Sequence, residues 1–379
     1  MADSAGLYFP TSERLTGIGL SPILAAVNRV SQLRNEGHTI HALTAGEPDF
    51  DTPQHIIDAA INAMRGGETH YTPVAGTIAL REAIQRKFKR DNGLDFTIDE
   101  VIASAGSKQV LANAFGSTLN PDDEVLIPAP YWTAYPDMVR VFRGSPVFIH
   151  TTLEQEYKIS PTALDKSITP QTRWLILNSP CNPSGAVYSK DELSDLATVL
   201  REHPRVAIIS DDIYEHIRFD NTPYPTIAAV CPDIAHRVLT INGLSKSFAM
   251  TGWRVGYAGG AASLIKNMAI LQSQGSLAPC SIAQAAAAAA LDGPIESVKS
   301  MVATYKTRAR ILEQIAQKYP AVSISKPKGA FYSLFDLSDV LSNTTQFDNS
   351  PDPKDVQFTK WLLDTHKVAV VPGSAFGVP

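Results

Sequence analysis

Cysteine is scarce. The 379-residue chain has three, Cys181, Cys231 and Cys280. They are odd in number, far apart and contain no Cys-x-x-Cys pair, so no disulfide framework is expected and a reducing compartment is implied. Long apolar runs are missing as well, and no stretch approaches the ~18 residues that a membrane-crossing helix needs. Neither sign of charge dominates: 33 Lys and Arg against 38 Asp and Glu leave a net charge of -5. That excludes a general basic field for nucleic acid and a polybasic segment for a membrane surface. The opening residues, Met1–Pro10, lack the basic start and apolar core of a signal peptide, so a cytoplasmic location is expected. No repeat period points to a solenoid or propeller. The common catalytic signatures are also missing: no phosphate-loop G-x-x-x-x-G-K-S/T, no G-x-G-x-x-G after a strand, no G-x-S-x-G and no H-E-x-x-H. The nine histidines never fall at ligand spacing with cysteines or carboxylates, so no metal is expected.

What is present is a composition, 44% hydrophobic and 19% charged, that can bury a large core, at a length that suits two domains. The middle of the chain alternates short β-rich runs with helical patterns. Candidate strands are 101–104, 124–128, 146–151, 173–178, 206–210, 238–242 and 254–258. Several are unbroken apolar runs, such as Val125-Leu-Ile127, Trp174-Leu-Ile-Leu177 and Val206-Ala-Ile-Ile209. Such runs read as strands covered on both faces, the pattern of a mainly parallel sheet. Helices are expected over 107–119, 133–142 and 190–202, the last opened by the capping box Ser189-Lys-Asp-Glu192. Alternation of this kind means an α/β domain. The flanks read as helix 22–36, a buried alanine-rich helix around 285–290, and strands at 329–335 and 368–371. The expected division is 1–45 as an arm and part of a small domain, 46–285 as a large domain, and 286–379 as the small domain.

Polar residues cluster just past the C-terminal ends of successive strands, the edge where open α/β sheets bind ligands. Ala105-Gly106-Ser107-Lys108 opens a helix with free N–H groups that suit a phosphate. Tyr131-Trp132 offers a ring to stack on a planar group. Asn178–Gly185 presents an amide on a rigid turn, Asp211 and Tyr214 pair a carboxylate with a phenol, and Ser245-Lys246 is followed eight residues later by Arg254. Singly, each has a bland reading: a solvated lysine, a helix-capping aspartate, an Asn-Pro turn, a core tryptophan. Together, in order along one sheet edge, they describe a pocket for an anionic, planar heterocycle with a basic nitrogen that a lysine can attack. Pyridoxal phosphate meets that description.

Five segments carry a family resemblance: Leu43–Pro53, Tyr71–Gly76 with Leu80–Ala83, Asn178–Gly185, Ser210–His216 and Asn242–Tyr257. On them the chain resembles class I/II aminotransferases of pyridoxal-phosphate (PLP) fold type I, most of all the bacterial-type aspartate aminotransferases. The resemblance implies a mainly parallel seven-stranded sheet in a large domain beside a smaller α+β domain. It further implies that Lys246 binds PLP covalently and then shuttles a proton, which requires an amine of lowered pKa. Asp211 would pair with the pyridine nitrogen, while Tyr214 and Asn182 would hydrogen-bond the phenolic oxygen. Trp132 would stack on the ring, and Gly106, Ser107, Lys108, Arg254 and Ser245 would hold the phosphate. Tyr71 would reach the neighbouring subunit's phosphate in a homodimer, and Gly46 would lie against the substrate carboxylate, with Trp132 and Asn182 also lining the substrate site.

Two departures are visible. Asp212 stands where the family carries glutamate, a change expected to act only behind the site. The arginine that binds the substrate α-carboxylate in the family follows the Pro372–Gly377 segment, and the sequence stops at Pro379, so the small domain is expected to be incomplete at its C-terminus. The implied reaction is ping-pong transamination between an L-amino acid and a 2-oxo acid, with aspartate and 2-oxoglutarate as the favoured pair. The alternatives are an aminotransferase of a specialised pathway, a PLP-dependent β-lyase on the same fold, or a PLP-sensing regulator. The last is disfavoured because no basic recognition helix precedes the match near residue 40.

Overall fold

The seven expected strands form one sheet, and the apolar runs explain why. In the computed structural model, which describes residues 11–19, 22–347 and 350–378, they are β1 (Val101–Ser104), β2 (Glu124–Ala129), β3 (Ser145–His150), β4 (Thr172–Asn178), β5 (Ala207–Asp211), β6 (Val238–Gly243) and β7 (Gly256–Gly259). The N-terminal segment that was read for a signal peptide, Met1–Pro10, lies outside the described residues. The spatial order is β1-β7-β6-β5-β4-β2-β3. Side chains alternate between two cores, as a pleated strand buried on both faces requires. Leu126, Leu175, Leu177 and Ile208 face one core, while Val125, Ile127, Trp174, Ile176 and Ile209 face the other.

Only β7 runs against its neighbours, pairing antiparallel with both β6 and β1. The register sets Gly256, its first residue, opposite both Gly243 and Ser104, the last residues of β6 and β1. The reversal therefore brings Arg254, just before β7, to the same sheet edge as the C-terminal ends of the other strands. The linear sequence groups Arg254 with that edge but does not reveal the reversal that puts the start of β7 there.

Helices close both faces. Helix Lys190–Glu202 starts with the expected box: Ser189 Oγ accepts from Glu192 N at 3.2 Å and Glu192 Oε2 accepts from Ser189 N at 2.7 Å. The alanine-rich stretch lies in helix Ser281–Asp292, whose Ala283, Ala286, Ala287 and Ala290 are buried in the main core beside Ile56, Leu80 and Ala83. The expected domain boundary between 285 and 286 falls inside this helix. Helix Pro22–Asn35 packs Val30 and Leu33 against Leu363 and Ala369, and His41–Ala42 pairs in parallel with Val368–Ala369. Segments from near both ends of the sequence thus share one small core.

The strand expected at 329–335 is largely replaced by an irregular segment. Only Phe335–Asp336 pairs, with Ser323–Ile324, and Gly329 makes an isolated bridge to Arg218. Ala330 takes a left-handed conformation (φ 59°), and the backbone N–H groups of Lys328 and Gly329 donate to the Gly185 carbonyl at 2.9 and 3.2 Å. Docking on that loop diverts the apolar run from a sheet and carries Phe331 and Tyr332 toward Tyr214. Of the strand expected at 368–371, only Val368–Ala369 forms.

Candidate active site

Lys246 follows the end of β6, and its Nζ donates to the Gly46 carbonyl at 2.6 Å. Burial draws its pKa down to about 8; the Glu47 carboxylate pulls the other way, Arg254 repels the charge and Asp211 stabilises it. Lowering by burial and by Arg254 matches the sequence expectation, and Glu47 is an opposing charge that the sequence reading did not weigh. The segment bearing Gly46 is stitched to the lysine loop. Thr251 Oγ1 donates to Glu47 Oε2 at 3.0 Å, Trp253 Nε1 to Thr52 Oγ1 at 3.0 Å, and Thr52 Oγ1 to the Ala249 carbonyl at 2.8 Å. Two motifs some 200 residues apart in sequence are one structural unit.

Asp211 closes β5 and is buried. Its Oδ2 accepts from the Tyr135 hydroxyl at 2.5 Å, whereas its Oδ1 has no hydrogen-bond partner among the described residues. Desolvation raises the carboxyl to about 6 despite the Tyr135 bond. A buried acceptor with one free oxygen suits a protonated ring nitrogen, which would supply the missing donor and stabilise the carboxylate. Tyr214 is buried three residues on; its hydroxyl meets the Tyr332 hydroxyl at 2.7 Å, and the Asn182 side chain reaches the same phenol. Burial holds the Tyr214 phenol well above its ordinary range.

Gly106, Ser107, Lys108 and Arg254 come together at the start of helix Ser107–Thr118. Gly106 caps helix Ser107–Thr118 with φ 89°, and a Cβ on it would stand 2.5 Å from Arg254 Nη2. Only glycine lets the guanidinium lie against the helix start. Gly256 has the same role from the sheet side, where a Cβ would meet Ser107 N at 2.2 Å. Arg254 is itself left-handed (φ 57°) and donates to the Thr251 carbonyl at 3.0 Å. Lys108 Nζ lies 5.1 Å from the Trp132 ring centroid, and desolvation and the Arg254 charge lower its pKa. Two cations and a helix N-terminus converging on one spot leave charge for a phosphate to balance.

Of the sequence candidates, Lys246 is joined to Gly46, and Tyr214 to Asn182. Lys108 meets Trp132, and Gly106 meets Arg254. Ser245 is buried beside Lys246. Tyr71 stands apart, 95% exposed on the single chain. Asp212 is buried and accepts from Ser210 Oγ at 2.7 Å and Tyr224 OH at 2.9 Å. Sequence reasoning missed Tyr135 and Tyr332. Tyr135 had a signal, since it follows Trp132 by three residues at a helix start and so shares its side; the two rings meet edge-on at 5.4 Å. Tyr332 had none, because its partner lies 118 residues away.

Comparison with known proteins agrees with this geometry. Residues 39–379 match the family "Aminotransferase class I and II". A probable aspartate/prephenate aminotransferase of Rickettsia bellii is 47% identical over 371 residues, 97% of this chain and 92% of that protein. The aspartate/prephenate aminotransferase of Nitrosomonas europaea is 45% identical over 366 residues, covering 97% and 92%. Among solved structures, the aspartate aminotransferase of Rhizobium meliloti superposes with a TM-score of 0.93 at 43% identity, covering 98% of this chain and 93% of that one. The Thermus thermophilus enzyme solved with maleate gives 0.88 at 40% identity, covering 98% and 93%.

Proposed function

Because the chain belongs to the class I and II aminotransferases, we propose that it carries out transamination between an L-amino acid and a 2-oxo acid with pyridoxal 5′-phosphate held at Lys246. The observation that carries this reading is a half-buried lysine of pKa about 8 whose charge interacts with Asp211, a buried carboxylate with one free oxygen. PLP, when bound, supplies an electron sink for the negative charge that develops on the substrate α-carbon.

The chain's own groups do the rest. Asp211, oriented by Tyr135, would hold a proton on the ring nitrogen. Tyr214 and Asn182 donate to the phenolic oxygen, and Tyr332 buttresses Tyr214. Gly106, Ser107, Lys108, Ser245 and Arg254 would hold the phosphate, and Trp132 would stack on the ring. Lys246 Nζ, displaced by the substrate amine, would take the proton from the substrate Cα and deliver it to the cofactor carbon that receives the amino group, as a general base near its own pKa can at neutral to mildly alkaline pH. Gly46 joins Trp132 and Asn182 at the substrate side.

Aspartate and 2-oxoglutarate are the proposed first pair, supported by relatives named for aspartate and by the maleate, a four-carbon dicarboxylate, in the Thermus thermophilus structure. Prephenate is a second acceptor to test, because relatives at 45–47% identity carry it in their names. A homodimer belongs to the same reading, supported by the near-complete exposure of Tyr71. So does a reducing, cytoplasmic setting, supported by three free cysteines. No helix among the described residues is long and apolar enough to cross a membrane. The domain division is likewise a proposal, supported by the small core that joins Val30 and Leu33 to Leu363 and Ala369, with helix Ser281–Asp292 kept whole in the large domain because its alanines lie in the main core. The test is a half-reaction: PLP-loaded protein given L-aspartate alone should release one equivalent of oxaloacetate per site. Loaded protein that releases none from aspartate but turns over another amino acid would move the donor; one that turns over no amino acid would defeat the reading.

A further inference from the structure

Immediately after Tyr214 the chain buries a charge that the proposed chemistry does not use. Glu215 is a buried carboxylate paired with Lys87, whose side chain is fully buried at the end of helix Ile78–Lys87. The pair is closed by Asn92, which accepts from Lys87 Nζ at 2.7 Å through Oδ1 and donates to Glu215 Oε2 at 2.6 Å through Nδ2. His216 Nε2 lies 3.2 Å from Glu215 Oε1 and 3.5 Å from Asp91 Oδ2. Asp91, Glu215 and His216 bring ligand atoms within 4.8 Å of one another, but the Lys87 ammonium already supplies the cation there.

Such a pair is a poor way to gain stability. Desolvating two ions offsets most of their attraction, and apolar residues of similar volume commonly replace a buried pair without loss. What an ion pair provides that an apolar contact does not is a fixed distance and direction. The segment it holds is the one where direction matters. Glu215 N donates to the Asp212 carbonyl at 2.9 Å and Ile217 N to the Tyr214 carbonyl at 2.8 Å, so residues 212–217 form two overlapping turns with Tyr214 and Glu215 shared between them. Glu215 cannot shift without carrying Tyr214, whereas Asp211 is fixed by the sheet, in register with Asn178 and Ile241 on either side.

We infer that the Lys87–Asn92–Glu215 cluster is a positioning device that clamps the turn bearing Tyr214 to helix Ile78–Lys87 and thereby sets where the Tyr214 phenol meets the cofactor ring beside the sheet-held Asp211. The inference rests on the proposed function. Lys87 and Glu215 are positioning residues, acting through Tyr214 rather than on substrate.

The experiment replaces both charges at once, Lys87→Met with Glu215→Met, so that no lone buried ion is left to unfold the protein. The double variant should keep a cooperative thermal transition and its far-UV spectrum. It should bind pyridoxal phosphate roughly tenfold more weakly by equilibrium dialysis, and the visible-absorption pH titration of the loaded protein should shift by at least about half a unit. kcat should fall while KM for aspartate changes little, because the substrate contacts lie elsewhere. Where the double variant does not fold, Glu215→Asp, which keeps the charge and shortens the reach, gives the same readings. Wild-type protein that binds PLP beside folded variants with unchanged affinity, titration and kcat would overturn the inference alone. Wild-type protein that takes up no PLP would overturn the parent reading and this one with it.

Discussion

Lys246 is placed to be uncharged at mildly alkaline pH by its burial, and Glu47 limits how far that goes. The sign follows directly: a neutral amine is the reactive form, so capture of pyridoxal phosphate by the apoprotein should quicken as pH rises and reach half its maximum near 8. Glu47→Gln removes the charge that raises the pKa and should move that midpoint down. Stopped-flow absorbance reads both, and a midpoint near the ordinary lysine value of about 10.4 would remove the proposed role. Asp211→Ala should leave the phosphate contacts intact and slow turnover by about a hundredfold or more, the scale of losing a group that controls a proton in the transition state. Dialysis against kcat separates the two effects.

Among the elements, the start of helix Ser107–Thr118 is the most constrained. Gly106→Ala meets two penalties at once, a left-handed φ of 89° and a Cβ 2.5 Å from Arg254 Nη2. Moving the guanidinium aside should weaken PLP affinity by about tenfold, roughly 1.4 kcal/mol, in a fluorescence titration. Ser189→Ala is the matching control at a helix start remote from the site. It should cost about 1 kcal/mol in denaturant unfolding and leave kcat unchanged. The capping box was legible because its bonds join residues three apart. The irregular path of 329–335 was not, because its backbone bonds go to Gly185 and Ile217, partners far along the chain that a local apolar run does not announce.

The whole molecule carries its own pH signature. Burial raises Asp211 to about 6 and Asp212 to about 7, the latter also through repulsion by Glu215. A carboxyl whose folded pKa exceeds its unfolded value makes the folded state the stronger proton binder, so its contribution to stability falls as pH rises from about 4 to the folded pKa. Asp212→Asn removes one such term. The variant should therefore gain on wild-type apoprotein in thermal midpoint between about pH 4 and pH 7, and a constant difference across that window would refute the assignment. Assembly is testable at the same scale: sedimentation should give a dimer, and Tyr71→Ala should lower PLP affinity while the variant stays dimeric.

The amino-acid sequence alone determined all seven strands of the sheet, the capping box and the order of polar residues along one edge, because each rests on short-range pattern: unbroken apolar runs, i to i+3 side chains, and turns next to strand ends. With the family resemblance, it also pointed to Lys246, Asp211, Tyr214, Asn182 and Arg254. The tertiary structure alone decided how these meet. The reversal of β7 delivers Arg254 to Gly106, the Gly46 carbonyl meets Lys246, and Tyr135, Tyr332 and the Lys87–Glu215 pair stand behind Asp211 and Tyr214. Those contacts span tens to hundreds of residues, and the packing of distant segments into one shared core selects among them.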